Sequence, residues 1–149
     1  MPNYRATTDI GPIARAAATA LAALAGAAGA AGAGDIRVDV AGLRSGAGLV
    51  RVAICPEATF TKPDCPHAGS APASAGFVTI QGVPDGVYAV QAFHDEDSDG
   101  DLDRRGFRPD EGLAFSNDAR MRRGPPRFRD AAVRVAGDGR ITLQMRYFQ

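Results

Sequence analysis

Residues 35–55 read DIRVDVAGLRSGAGLVRVAIC, and their alternation decides the fold class. Ile36, Val38 and Val40 fall on one side of an extended chain and Arg37 and Asp39 on the other. A strand with one buried face requires that period of two. Ser45-Gly46-Ala47-Gly48 is a turn signal, and LVRVAIC resumes the pattern, so the stretch predicts two strands joined as a hairpin with a slightly long loop.

Further strands follow at similar intervals. GFVTIQGV (76–83) is a third. Pro84-Asp85-Gly86 then presets φ at proline and permits a reversal at glycine, leading into VYAVQAFHD (87–95), which is apolar enough to be central. GLAFSN (112–117) reads as a fifth. AAVRVAG (131–137) and RITLQMRYF (140–148), separated by Gly137-Asp138-Gly139, read as a closing hairpin in which Ile141, Leu143, Met145 and Tyr147 share a face.

Two connections carry no such period. The segment from Pro56 to Ser74 has four prolines and reads as a loop. Residues 118–130, DARMRRGPPRFRD, cannot lie inside a sheet because Pro125 and Pro126 remove two donors; Phe128 is expected to plug this loop into the core. With no amphipathic helix in the region, the expectation is an all-β, seven-stranded antiparallel β-sandwich over residues 34–149.

The first 33 residues read as a signal peptide. Arg5 and Arg15 precede an uncharged Ala/Gly stretch containing Leu21 and Leu24, and Ala31-Gly32-Ala33 is an A-x-A-like cleavage site. Ala and Gly contribute too little transfer energy for a convincing membrane span, so the mature chain is not expected to be an integral membrane protein. Cleavage removes Arg5, Asp9 and Arg15, taking the formal charge from zero to about −1. That balance gives no general attraction to nucleic acid. Periplasmic or secreted localisation follows, with an envelope or extracellular ligand as partner. In an oxidising compartment Cys55 and Cys65 read as a disulfide. Zinc held by Cys55, Cys65, His67 and His94 is the alternative, and it lacks the tight cysteine pairing of structural zinc sites.

The chemistry concentrates after the fourth strand. Six carboxylates fall between Asp95 and Asp103. Asp95, Asp97, Asp99 and Gly100 match the D-x-D-x-D-G opening of a calcium loop, with Asp101 at the backbone-carbonyl position and Asp103 at the ninth. The twelfth position is Gly106 rather than a bidentate Glu, which excludes a full EF-hand. Asp110 or Glu111 could complete the shell if the chain bends back. The competing expectation is a solvated acidic turn neutralised by Arg104, Arg105 and Arg108, since like charges about 4 Å apart repel by only about 1 kcal/mol in water. Calcium is the candidate cofactor.

Arg120, Arg122, Arg123 and Arg127, with Arg129, form a candidate anion-binding stretch; they would instead offset the acidic loop if the two loops meet. Ser116, His94 and Asp95 contain the residue types of a hydrolase triad, but no nucleophile elbow surrounds Ser116. Ser116-Asn117-Asp118 reads more simply as a turn capping local backbone amides.

Four ordered stretches, VAGLRSGAGLVRVAIC (40–55), VPDGVYAVQAFHDEDSDGDLD (83–103), EGLAFSN (111–117) and GPPRFRDAAVRV (124–135), resemble the small exported bacterial proteins of the domain of unknown function 2141 family. The resemblance implies export and a transthyretin-like or immunoglobulin-like sandwich, and implies no established activity. The chain departs from many relatives in its acidic loop, where Asn often replaces carboxylates, and in its cysteine pair. The expected role is a non-enzymatic binding module. The alternatives are a structural envelope or adhesion-accessory protein, or a hydrolase using His94 and nearby carboxylates.

Overall fold

A computed structural model describes residues 32–148. The signal-peptide expectation falls almost wholly on residues outside that range. Each of the seven segments read as strand is one: β1 (Ala33–Ala41), β2 (Leu49–Cys55), β4 (Phe77–Pro84), β5 (Gly86–Asp95), β8 (Gly112–Phe115), β9 (Ala132–Val135) and β10 (Gly139–Gln144). The segment read as one long loop contains a further strand, β3 (His67–Pro72), and a two-residue pair, β6 (Arg104–Arg105) with β7 (Arg108–Pro109), lies within the acidic region. One helical turn, α1 (Phe128–Ala131), precedes β9.

The strands form two main sheets. One runs β10-β1-β4, with β1 parallel to β10 and antiparallel to β4. The other runs β3-β2-β5-β8, with β9 pairing the first half of β5 beside β8. A single apolar cluster joins them: Ile36, Val38, Val78 and Leu143 from the first sheet meet Val52, Ile54, Val90 and Ala92 from the second. The chain is thus mostly β, with separate, largely antiparallel sheets sharing a core.

The turns do something different from what their sequences suggest. β1 and β2 are not a hairpin; residues 42–48 carry the chain from one sheet to the other. The chain crosses again between β4 and β5, and between β9 and β10, so the expected closing hairpin is absent too. Alternation states that one face is buried, and a strand in either sheet satisfies it. The edge of β1 that a hairpin would fill belongs instead to β10, in parallel register from Ile36↔Gly139 to Ala41↔Gln144. β2 lies antiparallel between β5 and β3, the latter reached through an eleven-residue loop, residues 56–66. Proline ends β3 at Pro72, and among the described residues β3 pairs only with β2; an edge position is where a sheet tolerates proline.

Cys55 and Cys65 lie at disulfide distance, with a Cα–Cα separation of 5.2 Å, and among the described residues neither they nor His67 and His94 belong to a group of side chains placed to hold a metal. The bridge pins the 56–66 loop over the outer face of the second sheet. There a smaller apolar cluster gathers Cys55, Phe60, Ala89, Phe115 and Ala131. Phe128 packs against it, edge to face with Phe60 at 6.0 Å, as a plug for the arginine-rich segment. Among the described residues no helix is long and apolar enough to cross a membrane.

Candidate metal site and the groove beside it

Asp95 ends the central strand β5 and is fully buried. Its Oδ2 accepts from Arg51 Nε at 2.5 Å and from the Gly100 N–H at 3.1 Å, while Oδ1 accepts from the Asp99 N–H at 3.1 Å. Burial alone would push this carboxyl up. Arg51 and the backbone N–H groups outweigh it and hold the carboxyl below its ordinary value. Arg51 is in reach because Leu49 stands opposite Asp95 in the β2–β5 register, leaving Arg51 as the diagonal neighbour on the same face.

From this anchor the loop is wound by its own side chains. Asp97 Oδ1 accepts from the Asp99 N–H at 3.2 Å, and Asp99 Oδ1 from the Asp101 N–H at 2.8 Å. These are Asx turns, in which each carboxylate replaces a backbone acceptor. Gly100 takes φ +91°, a left-handed value that glycine adopts without penalty. The loop base is tight as well: a Cβ on Gly48 would lie 2.1 Å from the Asp95 carbonyl oxygen.

Glu111 closes the loop. The β6–β7 hairpin folds out, the Asp110 N–H donates to the Asp103 carbonyl at 2.9 Å, and the chain returns to Asp103 as though residues 104–109 were spliced out. Glu111 is buried, with Oε1 accepting from the Glu96 N–H at 2.9 Å and Oε2 from the Asp103 N–H at 3.2 Å. Two carboxylate groups result, Asp95, Asp97 and Asp99, and Asp97, Asp103 and Glu111, each with one oxygen per residue lying within 4.8 Å of the others. Burial pushes Glu111 up, and the charges of Asp95 and Asp103 add to it. Asp103 is likewise raised, by desolvation first and then by Asp97, Asp99, Asp110 and Asp101. Arg51 already supplies one positive charge at Asp95.

Five of the six sequence-predicted ligands, Asp95, Asp97, Asp99, Asp103 and Glu111, therefore converge. The Asp101 side chain is not in either group, in keeping with a position whose ligand would be its carbonyl. The donors are all carboxylate oxygens, a set that suits a hard divalent cation and not zinc or copper. Glu96 turns away, pairing with Arg44 and accepting from Ser45 Oγ, which holds its carboxyl down.

The arginine stretch does not neutralise this loop as expected. Arg127 and Arg129 pair with Asp130, and Arg120 acts on Asp118, whose main partner is Arg146. Arg44, Arg51 and Arg105 each pair with an acid of that loop, the last with Asp110 at 2.8 Å. Arg122 and Arg123 instead line a groove of about 1370 Å³ across the outer face of the second sheet, whose far wall is the 100–109 segment. Arg51 and the groove escape a sequence reading; the one available signal is a lone charge inside the apolar run LVRVAIC.

The triad residues are not assembled. His94 is fully buried, its Nδ1 2.7 Å from the Tyr147 hydroxyl and its Nε2 2.7 Å from the Ala47 carbonyl. The Ser116 hydroxyl accepts from the Val90 N–H at 2.9 Å and also bonds the Ala131 carbonyl. Asn117 Nδ2 donates to the Ala132 carbonyl at 2.9 Å. Ser116 and Asn117 thus clasp β5 to the α1–β9 segment, a long-range tie where a local cap was expected.

No curated protein and no solved structure matches the chain significantly. The four ordered stretches lie within residues 38–143, which match the family model described as "Uncharacterized protein conserved in bacteria (DUF2141)", and the chain belongs to that family.

Proposed function

We propose that this protein is an exported, non-enzymatic β-sandwich module of transthyretin-like or immunoglobulin-like type, whose 95–111 loop is ordered by calcium and whose loops present a ligand-binding surface. One observation carries the reading: Glu111, buried at the far end of the loop, joins Asp97 and Asp103 with oxygens within 4.8 Å of one another. Desolvation first, and then the neighbouring carboxylates, raise Asp103 and Glu111, and calcium would relieve the repulsive part. The ion's role is structural, to fasten a long connection between β5 and β8. The engagement of both His94 ring nitrogens supports the non-enzymatic reading. The paired cysteines favour export, where a disulfide persists.

Calorimetric titration of calcium into the purified protein, with melting in calcium and in chelator, tests this. Saturable binding is expected, with a dissociation constant on the order of 10⁻⁴ to 10⁻³ M, the range of extracellular modules. Glu111→Gln should abolish the calcium-dependent rise in melting temperature. Protons and calcium compete for the same oxygens, and Glu111 and Asp103 are raised, so affinity should fall with acidification from above the ordinary carboxylate range. An absence of heat and of melting shift at millimolar calcium would reduce the loop to a solvated acidic turn.

A further inference from the structure

The outer face of the second sheet is not the polar surface that a half-solvated antiparallel sheet usually shows. Phe93 on β5 stands directly opposite Leu113 on β8, and both are only half-buried. They floor the 1370 Å³ groove, with Phe115 and the disulfide-pinned loop at one end and the β6–β7 hairpin at the other. Sites for drug-sized molecules run to about 1,000 Å³, so this groove is long enough for an extended chain.

Its rim carries three open guanidinium groups. The side chains of Arg122 and Arg123, and of Arg104 on the hairpin, have no ion pair or hydrogen bond among the described residues, whereas Arg44, Arg51, Arg105, Arg127 and Arg146 are all paired. Among the described residues Asp101 is the one acid on the lining. Guanidinium groups left open beside an apolar floor are suited to the fork-like recognition of a phosphate or carboxylate head. Phe107 at the hairpin tip is 101 % exposed, a large apolar ring that solvent alone covers.

The geometry points to a binding groove for a single-chain anionic amphiphile, its acyl chain lying on the Phe93–Leu113 floor and its phosphate or carboxylate head held by Arg122 and Arg123. Charge complementarity excludes a cationic amphiphile, and the apolar floor distinguishes the ligand from a bare anion. The inference deepens the reading of the chain as a binding module and rests on it, but not on calcium.

The test is calorimetric titration of decyl phosphate, kept below its micelle concentration, into the purified protein with and without millimolar calcium. One-site saturable binding is expected, with decyltrimethylammonium not binding. The double variant Arg122→Ala/Arg123→Ala should bind about tenfold more weakly, the scale of one lost charge-assisted contact. Phe107→Ser should give a smaller loss. Both variants should melt like the parent, because these side chains hold nothing in place. Equal binding of the cationic detergent would overturn the proposal in favour of unspecific apolar adhesion. Equal binding of inorganic phosphate would overturn it in favour of a bare anion site. Failure to bind monomers while sedimenting with phosphatidylglycerol vesicles would replace it with bilayer docking. Silence towards decyl phosphate while calcium still binds sinks the groove alone; silence towards both sinks the binding-module reading.

Discussion

Asp95 shows how one residue serves strand, loop and site together. It ends the strand that pairs with both β2 and β8, and its two oxygens hold Arg51 and the backbone of Asp99 and Gly100. Asp95→Asn keeps the shape but breaks a buried ion pair, and should cost about 3 kcal/mol by urea unfolding at neutral pH. The folded-state value of Asp95 is lowered, so its contribution is complete above the unfolded value and disappears as pH falls through the folded one. The gap between parent and variant should therefore close in acid; a gap that persists there would show that packing, not charge, is what Asp95 supplies. Glu111 has the opposite sign. Being raised, it weakens the fold as pH rises through its folded value unless a cation is present. The alternation of VYAVQAFHD places Asp95 at a strand end, but the Arg51 partnership depends on a register no local sequence states.

At the scale of elements, the second sheet carries most of what is distinctive. Its outer face is covered at one end by the Cys55–Cys65 loop and by the 116–131 segment, clasped through Ser116 and Asn117. The disulfide closes a sequence separation of 10, and its loss removes a constraint on the unfolded chain worth about 2 to 3 kcal/mol. Cys55→Ser/Cys65→Ser should lower the melting temperature accordingly, and reductant should do the same to the parent and nothing to the variant. An unchanged melting temperature would mean that the outer cluster holds the loop without the bridge. β3 illustrates why its strand is invisible in sequence. HAGSAP has no apolar alternation, and its order comes from pairing with β2, an edge interaction that uses backbone groups any residue possesses.

For the whole molecule, the two sheets share one core, and every expected hairpin turn proves to be a crossing between them. Export, proposed above, bears on where that body starts. Ala33 opposite Pro84 begins β1, and Gly34 sits so close to Gly137 that a Cβ would lie 2.0 Å from its carbonyl carbon. Cleavage after Ala33 would spare this contact and all but the first residue of β1. N-terminal sequencing of the chain recovered from the periplasm or medium should read Gly34-Asp35; an intact chain held in the cytoplasm would refute export.

The sequence by itself determined which residues lie in strands with one buried face, because period-two alternation is a local consequence of backbone geometry. It also marked the D-x-D-x-D-G loop, because short-range Asx turns and a left-handed glycine are written within a few residues. Only the tertiary structure decided which sheet each strand enters, which cations the carboxylates meet, that Glu111 rather than Asp110 closes the loop, and that Arg122, Arg123, Phe93 and Leu113 share one groove. Most of those facts are pairings between segments far apart in the chain, settled by the joint burial of two sheet faces, and the closure by Glu111 depends on the 104–109 hairpin folding out; no period-two pattern encodes them.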